Sequence, residues 1–221
     1  MKSQLIVRSS DSPLIHSVSF WTIGDEATIL ACPDGLWDLV VYKKDQKSII
    51  LVTGQTTQAV PLPFAPGDEI LTISFKPGSY FPFLPGDKLL DRAEVLKTSG
   101  KRFELDFDTI EIPQFDNAED LVRQLQKKEA LKSDELVSSF FTERPLAASV
   151  RSIQRHFQYA TGLSPREFFL IERARRAMDL LKGGLAASEV ALVAGYSDQA
   201  HLSRSLKSIM GQTPTQIQAA R

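Results

Sequence analysis

The stretch Ser188-Glu189-Val190-Ala191-Leu192-Val193-Ala194-Gly195-Tyr196-Ser197-Asp198-Gln199-Ala200-His201-Leu202 decides the fold of the C-terminal third. Val190, Ala191 and Ala194 fall at helical spacing, and Gly195 is able to take the left-handed conformation that closes a helix. Two residues later Ser197 is placed to cap a second helix, on which Leu202, Leu206 and Ile209 again keep helical spacing. Helix, short glycine-containing turn, helix is the helix-turn-helix pattern, and the small Ala191 lets its two helices approach closely. The solvent side of the second helix carries Gln199, His201, Arg204, Ser205, Lys207 and Ser208, all hydrogen-bond donors that suit a major groove lined with phosphates.

Outward from this stretch the same design recurs. Thr213-Pro214-Thr215-Gln216 pairs a cap residue with Pro at the first helical position, which predicts a last short helix. Upstream, Ser164-Pro165-Arg166-Glu167 opens a helix that runs to about Leu181-Lys182 and stops at Gly183-Gly184. Its apolar face is Phe168, Ile171, Ala174 or Arg175, and Met178, widened by Phe169 and Leu180-Leu181. Further up, Ser149 caps a helix with Ile153 and Phe157 inside and with Arg151, Ser152, Gln154, Arg155 and His156 offering polar groups; Ala160-Thr161-Gly162-Leu163 ends it. Asp134 to Phe141 is the candidate supporting helix. Two candidate recognition helices are thus joined by one rigid helix. Roughly 17 residues at about 1.5 Å each give a spacer near 25 Å, which with its turns approaches the ~34 Å between major-groove faces one turn apart.

The first half has a different character. Nine of the 12 prolines lie at or before Pro113 and seven of the 12 glycines at or before Gly100. Between these breakers lie the β-rich runs Leu39-Val40-Val41-Tyr42, Ile49 to Thr53 and Glu69 to Phe75, separated by the turn signals Pro66-Gly67-Asp68, Pro77-Gly78-Ser79 and Pro85-Gly86-Asp87. Leu89, Leu90, Ala93 and Leu96 predict a helix between Asp87 and Leu96. Asp116 with Glu119 predicts a capping box ahead of Leu121, Val122 and Leu125, and the domain junction falls near residues 113–132.

Charge sharpens the division. The net charge of −1 seems to argue against nucleic acid, yet residues 1–143 hold 15 Lys+Arg against 22 Asp+Glu, a balance of −7, and residues 144–221 hold 11 against 5, a balance of +6. An acidic half joined to a basic half suits a nucleic-acid-binding part with a separate partner domain. One Cys excludes an internal disulfide or a Cys-rich zinc module, and the scattered His16, His156 and His201 give Cys32 no ligand spacing, so no metal is expected. Apolar runs such as Ser48–Val52 are too short for a membrane, and Met1 to Leu5 lacks a secretory signal; the expectation is a soluble cytoplasmic protein. Core packing is the first explanation of Trp21, Trp37, Phe20, Phe64, Phe75, Tyr80, Phe81 and Phe83, and a small-molecule or partner pocket the second. No phosphate loop or catalytic constellation is present, Asp34 and Asp38 lack a completing group, and neither enzyme activity nor a cofactor is expected.

On these residues the C-terminal part resembles the AraC/XylS family of bacterial transcription regulators, over roughly residues 133–219. The carrying motifs are Ser149 through Phe157, Thr161-Gly162-Leu163-Ser164-Pro165, Ile171-Glu172-Arg173-Ala174-Arg175, and Val190-Ala191 through Gly195-Tyr196-Ser197-Asp198-Gln199 to Leu206-Lys207 and Gly211-Gln212-Thr213-Pro214. The resemblance implies a seven-helix, two-subdomain unit that places both recognition helices in successive major-groove faces. It implies base contacts from Arg151, Gln154 and Arg155 in the first and from Gln199, His201 and Arg204 in the second, with Ser203, Ser205 and Lys207 on phosphate. For each, a plain solvated helix face is the competing explanation. Arg173, Arg175 and Arg176 on the joining helix are expected to pair with Glu172 or Asp179. The chain departs from the family in its first motif, where Asp134–Phe141 lacks the Leu-Ala pair and the Gly, and Thr142 to Ala148 makes a longer connection. Pro33 through Leu39 and Phe75-Lys76-Pro77-Gly78 are faintly similar to the β-rich sensor segment of shorter members, which implies no ligand.

The expectation is an α+β chain: a β-rich, sensor-like effector or assembly domain over 1–115, a helical linker over 116–132, and an all-α double helix-turn-helix DNA-binding domain over 133–221. Its partners would be double-stranded promoter DNA, RNA polymerase, a small-molecule effector in the N-terminal domain and a second copy in a homodimer, and its place the cytoplasmic nucleoid, as an activator. Two rivals stand beside it: a small-molecule-binding or enzymatic N-terminal domain whose helical tail no longer binds DNA, and a protein-interaction regulator that has lost DNA binding.

Overall fold

Strict alternation builds the N-terminal sheet. The computed structural model describes residues 2–25, 27–45, 47–106, 108–142 and 147–220. Its first strands are β1 (Gln4–Arg8), β2 (Ile15–Thr22), β3 (Ala27–Ala31), β4 (Trp37–Lys44), β5 (Lys47–Thr53), β6 (Val60–Phe64) and β7 (Glu69–Phe75). Trp37, Leu39 and Val41 of β4 point inward, and the antiparallel register sets Trp37 opposite Phe75, Leu39 opposite Ile73 and Val41 opposite Leu71. On the other side of β4, Leu39 faces Val52 and Val41 faces Ile50. Cross-strand pairs of β-branched and aromatic side chains are the stabilising unit of such a sheet, each contributing about 0.2–1 kcal/mol. Trp37 stacks on Phe75 with ring centroids 4.0 Å apart.

The chain continues through β8 (Ser79–Tyr80), α1 (Gly86–Leu89), β9 (Ala93–Leu96), β10 (Thr98–Ser99), β11 (Arg102–Leu105), β12 (Asp108–Glu111), α2 (Ala118–Lys127), β13 (Lys132–Ser133), α3 (Glu135–Ser139) and α4 (Val150–Thr161). The six-stranded sheet has the order β1-β2-β7-β4-β5-β9, and smaller sheets pair β10-β11-β12, β13-β8 and β3-β6. Two sequence expectations fail here. The helix expected between Asp87 and Leu96 is one short turn, broken by Asp91 at φ +55, and the chain then runs as β9 along the open edge of β5. The unsatisfied ladder of β5 outweighs a marginal apolar spacing. The Asp116–Glu119 capping box does not form either. Asn117 is the N-cap residue and makes no side-chain cap bond, while the Glu119 carboxylate accepts from both Arg8 Nη1 (2.5 Å) and Nη2 (2.8 Å). A bidentate charged pair is stronger than one bond to a backbone N–H.

Contacts divide the chain into two compact units: residues 1–28, 36–55 and 63–164, and residues 29–35, 56–62 and 165–221. The first is built on one core, in which Leu121, Val122 and Leu125 of α2 join Leu39, Ile50, Ile73 and Phe103. Phe157 of α4 is buried in the same unit against Phe140, its ring edge-on at 4.9 Å. Gly162 closes α4 at φ +76, and a Cβ on it would lie 2.5 Å from the carbonyl oxygen of Gly86. Two glycines 76 positions apart therefore let the end of α4 meet α1 backbone to backbone.

The second unit contains α5 (Pro165–Lys182), α6 (Ala187–Val193), α7 (Gln199–Met210) and α8 (Pro214–Ala219). Phe168, Ile171, Ala174, Ala177, Met178 and Leu181 form the buried face of α5, while Phe169, expected to widen that face, is exposed because it falls on the opposite side of the turn. Thr213 and Gln216 complete the expected reciprocal capping box of α8. This unit also takes up residues 29–35 and 56–62 from the first half. The backbone N–H of Ala59 donates to the carbonyl of Ile209 at 2.8 Å, which satisfies an orphan acceptor at the end of α7.

Candidate nucleic-acid interface

The turn between α6 and α7 follows from its backbone. Gly195, at φ +72, lets its own N–H reach Leu192 and that of Tyr196 reach Ala191 (2.8 Å), the paired bonds that close a helix on a left-handed residue. Tyr196 and Ala191 are both buried in the core formed by α5 to α8. The cap of α7 lies one residue later than expected: Asp198 rather than Ser197 accepts from the N–H of His201, at 2.6 Å. Asp198 has the extended backbone, φ −163 and ψ 173, that a cap requires. That backbone bond holds the Asp198 carboxyl below its ordinary range, helped by the charge of Arg204.

Tyr196 organises the start of α7. The Arg173 guanidinium of α5 lies over its ring at 4.4 Å from the centroid, and the His201 ring meets it edge-on at 5.2 Å. His201 Nδ1 lies 3.1 Å from the hydroxyl of Ser197, and the Tyr196 hydroxyl 3.3 Å from that of Ser205. On α5, Arg175 pairs with Glu172 (3.0 Å) and Asp179 (3.5 Å), as the spacing predicts, while Arg173 is used in this stack.

The predicted contact residues of α7 thus differ in their commitments. Ser203 donates back to the carbonyl of Gln199 (2.9 Å), Ser205 faces Tyr196, and Lys207 Nζ donates to the carbonyl of Gly211 (2.9 Å) at the helix end. Gln199 and Arg204 are exposed, and neither side chain hydrogen-bonds another described residue. On α4, capped by Ser149 through the N–H of Ser152 (3.2 Å), Arg151, Gln154 and Arg155 are exposed and likewise uncommitted among the described residues. Their i, i+3, i+4 spacing places them on one face. His156 instead turns to Asp134 (2.7 Å), whose other oxygen caps α3. The supporting helix α3 has only five residues, and positions 143–146 of the long connection lie outside the described residues. Sequence reasoning missed Asp134, Asp198 and the Arg173–Tyr196 stack. A D-x-x-H spacing from Asp198 to His201 was the available signal for the cap.

Among the described residues no group of His, Cys, Asp and Glu is placed to hold a metal, and no helix is long and apolar enough to cross a membrane. Comparison with known proteins adds the following. A family model described as a helix-turn-helix domain matches residues 144–220. ToxT from Vibrio cholerae, solved at 1.65 Å resolution, is 12% identical, covers 97% of each chain and superposes with a TM-score of 0.40. ToxT from Vibrio cholerae O395 bound to (E)-4-(8-methylnaphthalen-1-yl)but-3-enoic acid is 13% identical over 97% of this chain and 96% of that one, with a TM-score of 0.32. Unsaturated-fatty-acid-bound wild-type ToxT from strain SCE256 is 14% identical over 96% and 93%, with a TM-score of 0.34. Those ligands belong to those proteins, and superpositions this loose carry no argument about this one. No curated protein matches the sequence. The match over residues 144–220, with α6, the Gly195 turn and the capped α7 inside it, makes the C-terminal region a helix-turn-helix domain.

Proposed function

We propose that the chain is a sequence-specific transcription regulator that reads two successive major-groove faces, one with α4 and one with α7. The observation that carries this reading is the set of exposed, uncommitted donors on two helices whose own ends are already capped: Arg151, Gln154 and Arg155 on α4, Gln199 and Arg204 on α7. Arg matches the O6 and N7 acceptors of guanine, and Gln matches adenine. Ser203, Ser205 and Lys207 sit beside these with short internal partners, a placement suited to phosphate, and His201 supports the turn while its exposed edge borders the same surface. The N-terminal half, residues 1–115, senses a small molecule or mediates assembly into a homodimer, residues 116–132 link it, and residues 133–221 bind DNA. The protein works at promoters in the cytoplasm, with RNA polymerase as its further partner, and is a regulator rather than an enzyme.

Genomic DNA recovered with the purified full-length protein supplies the probe. Affinity for that fragment should fall steeply with salt, since each phosphate contact releases counterions. Arg155→Ala and Arg204→Ala should each cost about 1–3 kcal/mol and relax the preference at one base pair. Unchanged affinity in both, across all bases, overturns the assignment. A flat salt dependence combined with turnover or tight ligand binding by the N-terminal half would favour an enzyme or ligand-binding protein with a helical tail.

A further inference from the structure

Gln55 follows β5 and is 2% exposed, yet neither its side-chain nitrogen nor its side-chain oxygen has a hydrogen-bond partner. Its backbone carbonyl is committed to Asp91 (2.9 Å), so the residue is fixed in place with its amide unspent. A buried amide with no partner is costly, and native interiors rarely keep one without a reason. Gln55 borders a small, partly open cavity of about 10 Å³, walled by Trp37, Tyr80, Phe81 and Leu89 and by Thr161 of α4. Two of the polar groups beside it are spoken for: Trp37 Nε1 donates to Ser79 (2.6 Å) and Thr161 Oγ1 to Phe157 (2.7 Å). A single trapped water would fit the volume, but a stable internal water needs roughly two to four polar partners, and the uncommitted side chains of this wall are Gln55 and Tyr80.

Tyr80 lines a second, open cavity as well, of about 500 Å³, together with His156 and Asp134. Tyr80 thus borders both the cavity at Gln55 and a space within the range of small-molecule sites. We propose that Gln55 is the polar anchor of a site for a small, flat, uncharged ligand carrying a hydrogen-bond donor and acceptor side by side, as a carboxamide or lactam does, and that Tyr80 swings aside to admit it. The amide of Gln55 offers the complementary pair, one N–H and one C=O on the same edge. Aromatic rings on the walls suit a flat body. No lysine, arginine or carboxylate lines the inner cavity, so a charged ligand would be desolvated without compensation. The site deepens the effector reading above and rests on it for its purpose. Its wall includes Ala160 and Thr161 in the last turn of α4, so a ligand that fills it bears directly on the helix that carries Arg151 and Arg155.

Benzamide, with benzoate as the charged control, is the probe for the full-length protein, read by calorimetry, thermal shift and Trp37 fluorescence. Benzamide should bind, raise Tm and quench the tryptophan, and benzoate should do none of these. Gln55→Leu should weaken benzamide at least about tenfold, while its own Tm equals or exceeds that of the parent, because an apolar side chain replaces an unsatisfied amide. Gln55→Met provides the same comparison should the leucine variant fold poorly. Tyr80→Ala should speed benzamide association. Benzamide should shift the affinity of the parent for its DNA and leave that of Gln55→Leu unmoved. No benzamide binding at low millimolar concentration, or equal binding by the parent and both Gln55 variants, overturns the site. Binding is read without DNA, so failure here is distinct from a failure of Arg204→Ala to affect the promoter.

Discussion

Replacing Tyr196 with Leu isolates what holds the first turn of α7. Leu keeps most of the buried apolar bulk, so the change removes the hydroxyl's 3.3 Å contact with Ser205 and the two ring contacts. One is the Arg173 guanidinium at 4.4 Å from the centroid, a partly buried cation–π contact of about 1–2 kcal/mol. The other is the edge-on His201 ring at 5.2 Å, about 0.5–1 kcal/mol. With about 0.5–1.5 kcal/mol for the hydroxyl contact, the sum predicts a loss of about 2–4.5 kcal/mol from the unit containing α5 to α8. Arg173→Met behaves differently. Its Nε–H is buried without a hydrogen-bond partner, so Met gives up the cation–π contact and the long Nη1 bond to the Gly195 carbonyl (3.4 Å), but also removes an unsatisfied donor whose burial costs about 1–3 kcal/mol. The gain offsets most of the loss, and Arg173→Met alone should cost less than Tyr196→Leu. The double variant then costs less than Tyr196→Leu and Arg173→Met together, because the cation–π contact is lost only once. Urea denaturation of the four proteins should yield a coupling of about 1–2 kcal/mol. Additivity within about 0.3 kcal/mol would refute the assignment of Tyr196 as the hub of the turn.

Three further outcomes follow from particular contacts. Gly162→Ala introduces a Cβ 2.5 Å from the Gly86 carbonyl oxygen at a left-handed φ, and should destabilise the first unit by about 2 kcal/mol or more; Gly67→Ala, with open space around it, bears only the backbone penalty, and urea midpoints distinguish them. The Arg8 guanidinium holds the Glu119 carboxyl down at about 2, below its ordinary 4.5, so the pair stabilises fully above pH 4.5 and fades as pH falls toward 2. With both side chains about a quarter exposed (28% and 23%), Glu119→Gln should cost about 1 kcal/mol at neutral pH and flatten the stability slope in that acid window. Lys207→Ala removes a phosphate-side cation and should weaken binding evenly across DNA sequences, lowering the salt slope by about one.

How much was legible in the sequence depended on the range of the deciding interaction. Gly195, the Ser149 cap and the Thr213–Gln216 box are local, and each lies where its spacing predicted. So are the strands around Leu39, Ile50 and Leu71, because alternation and burial agree within a few residues. The cap of α7 is Asp198 rather than Ser197; both residue types qualify, and the side chain that accepts from the His201 N–H decides between them. The segment after Asp87 was ambiguous in kind: Leu89, Leu90, Ala93 and Leu96 fit a helix, and the open edge of β5, some forty positions away, made part of it a strand. Glu119 is a similar case, since its partner Arg8 lies 111 positions earlier.

Range also separates the exposed helix faces, which were legible, from Gln55, which was not. Local spacing is enough to place Arg151, Gln154 and Arg155, or Gln199 and Arg204, on a solvent-facing side of a helix. A buried polar anchor is defined by everything around it. Gln55 is an ordinary residue in the sequence, in a run of Gly54-Gln55-Thr56-Thr57 that reads as a loop. It becomes unusual only when Trp37, Tyr80 and Leu89 close over it from three other segments and two nearby donors are already used. The backbone approach of Gly86 to Gly162 brings the end of α4 onto α1 beside that cavity. The glycine pair, which sequence reading took as a turn and a helix stop, is therefore what makes a wall of the cavity out of a helix proposed to read DNA.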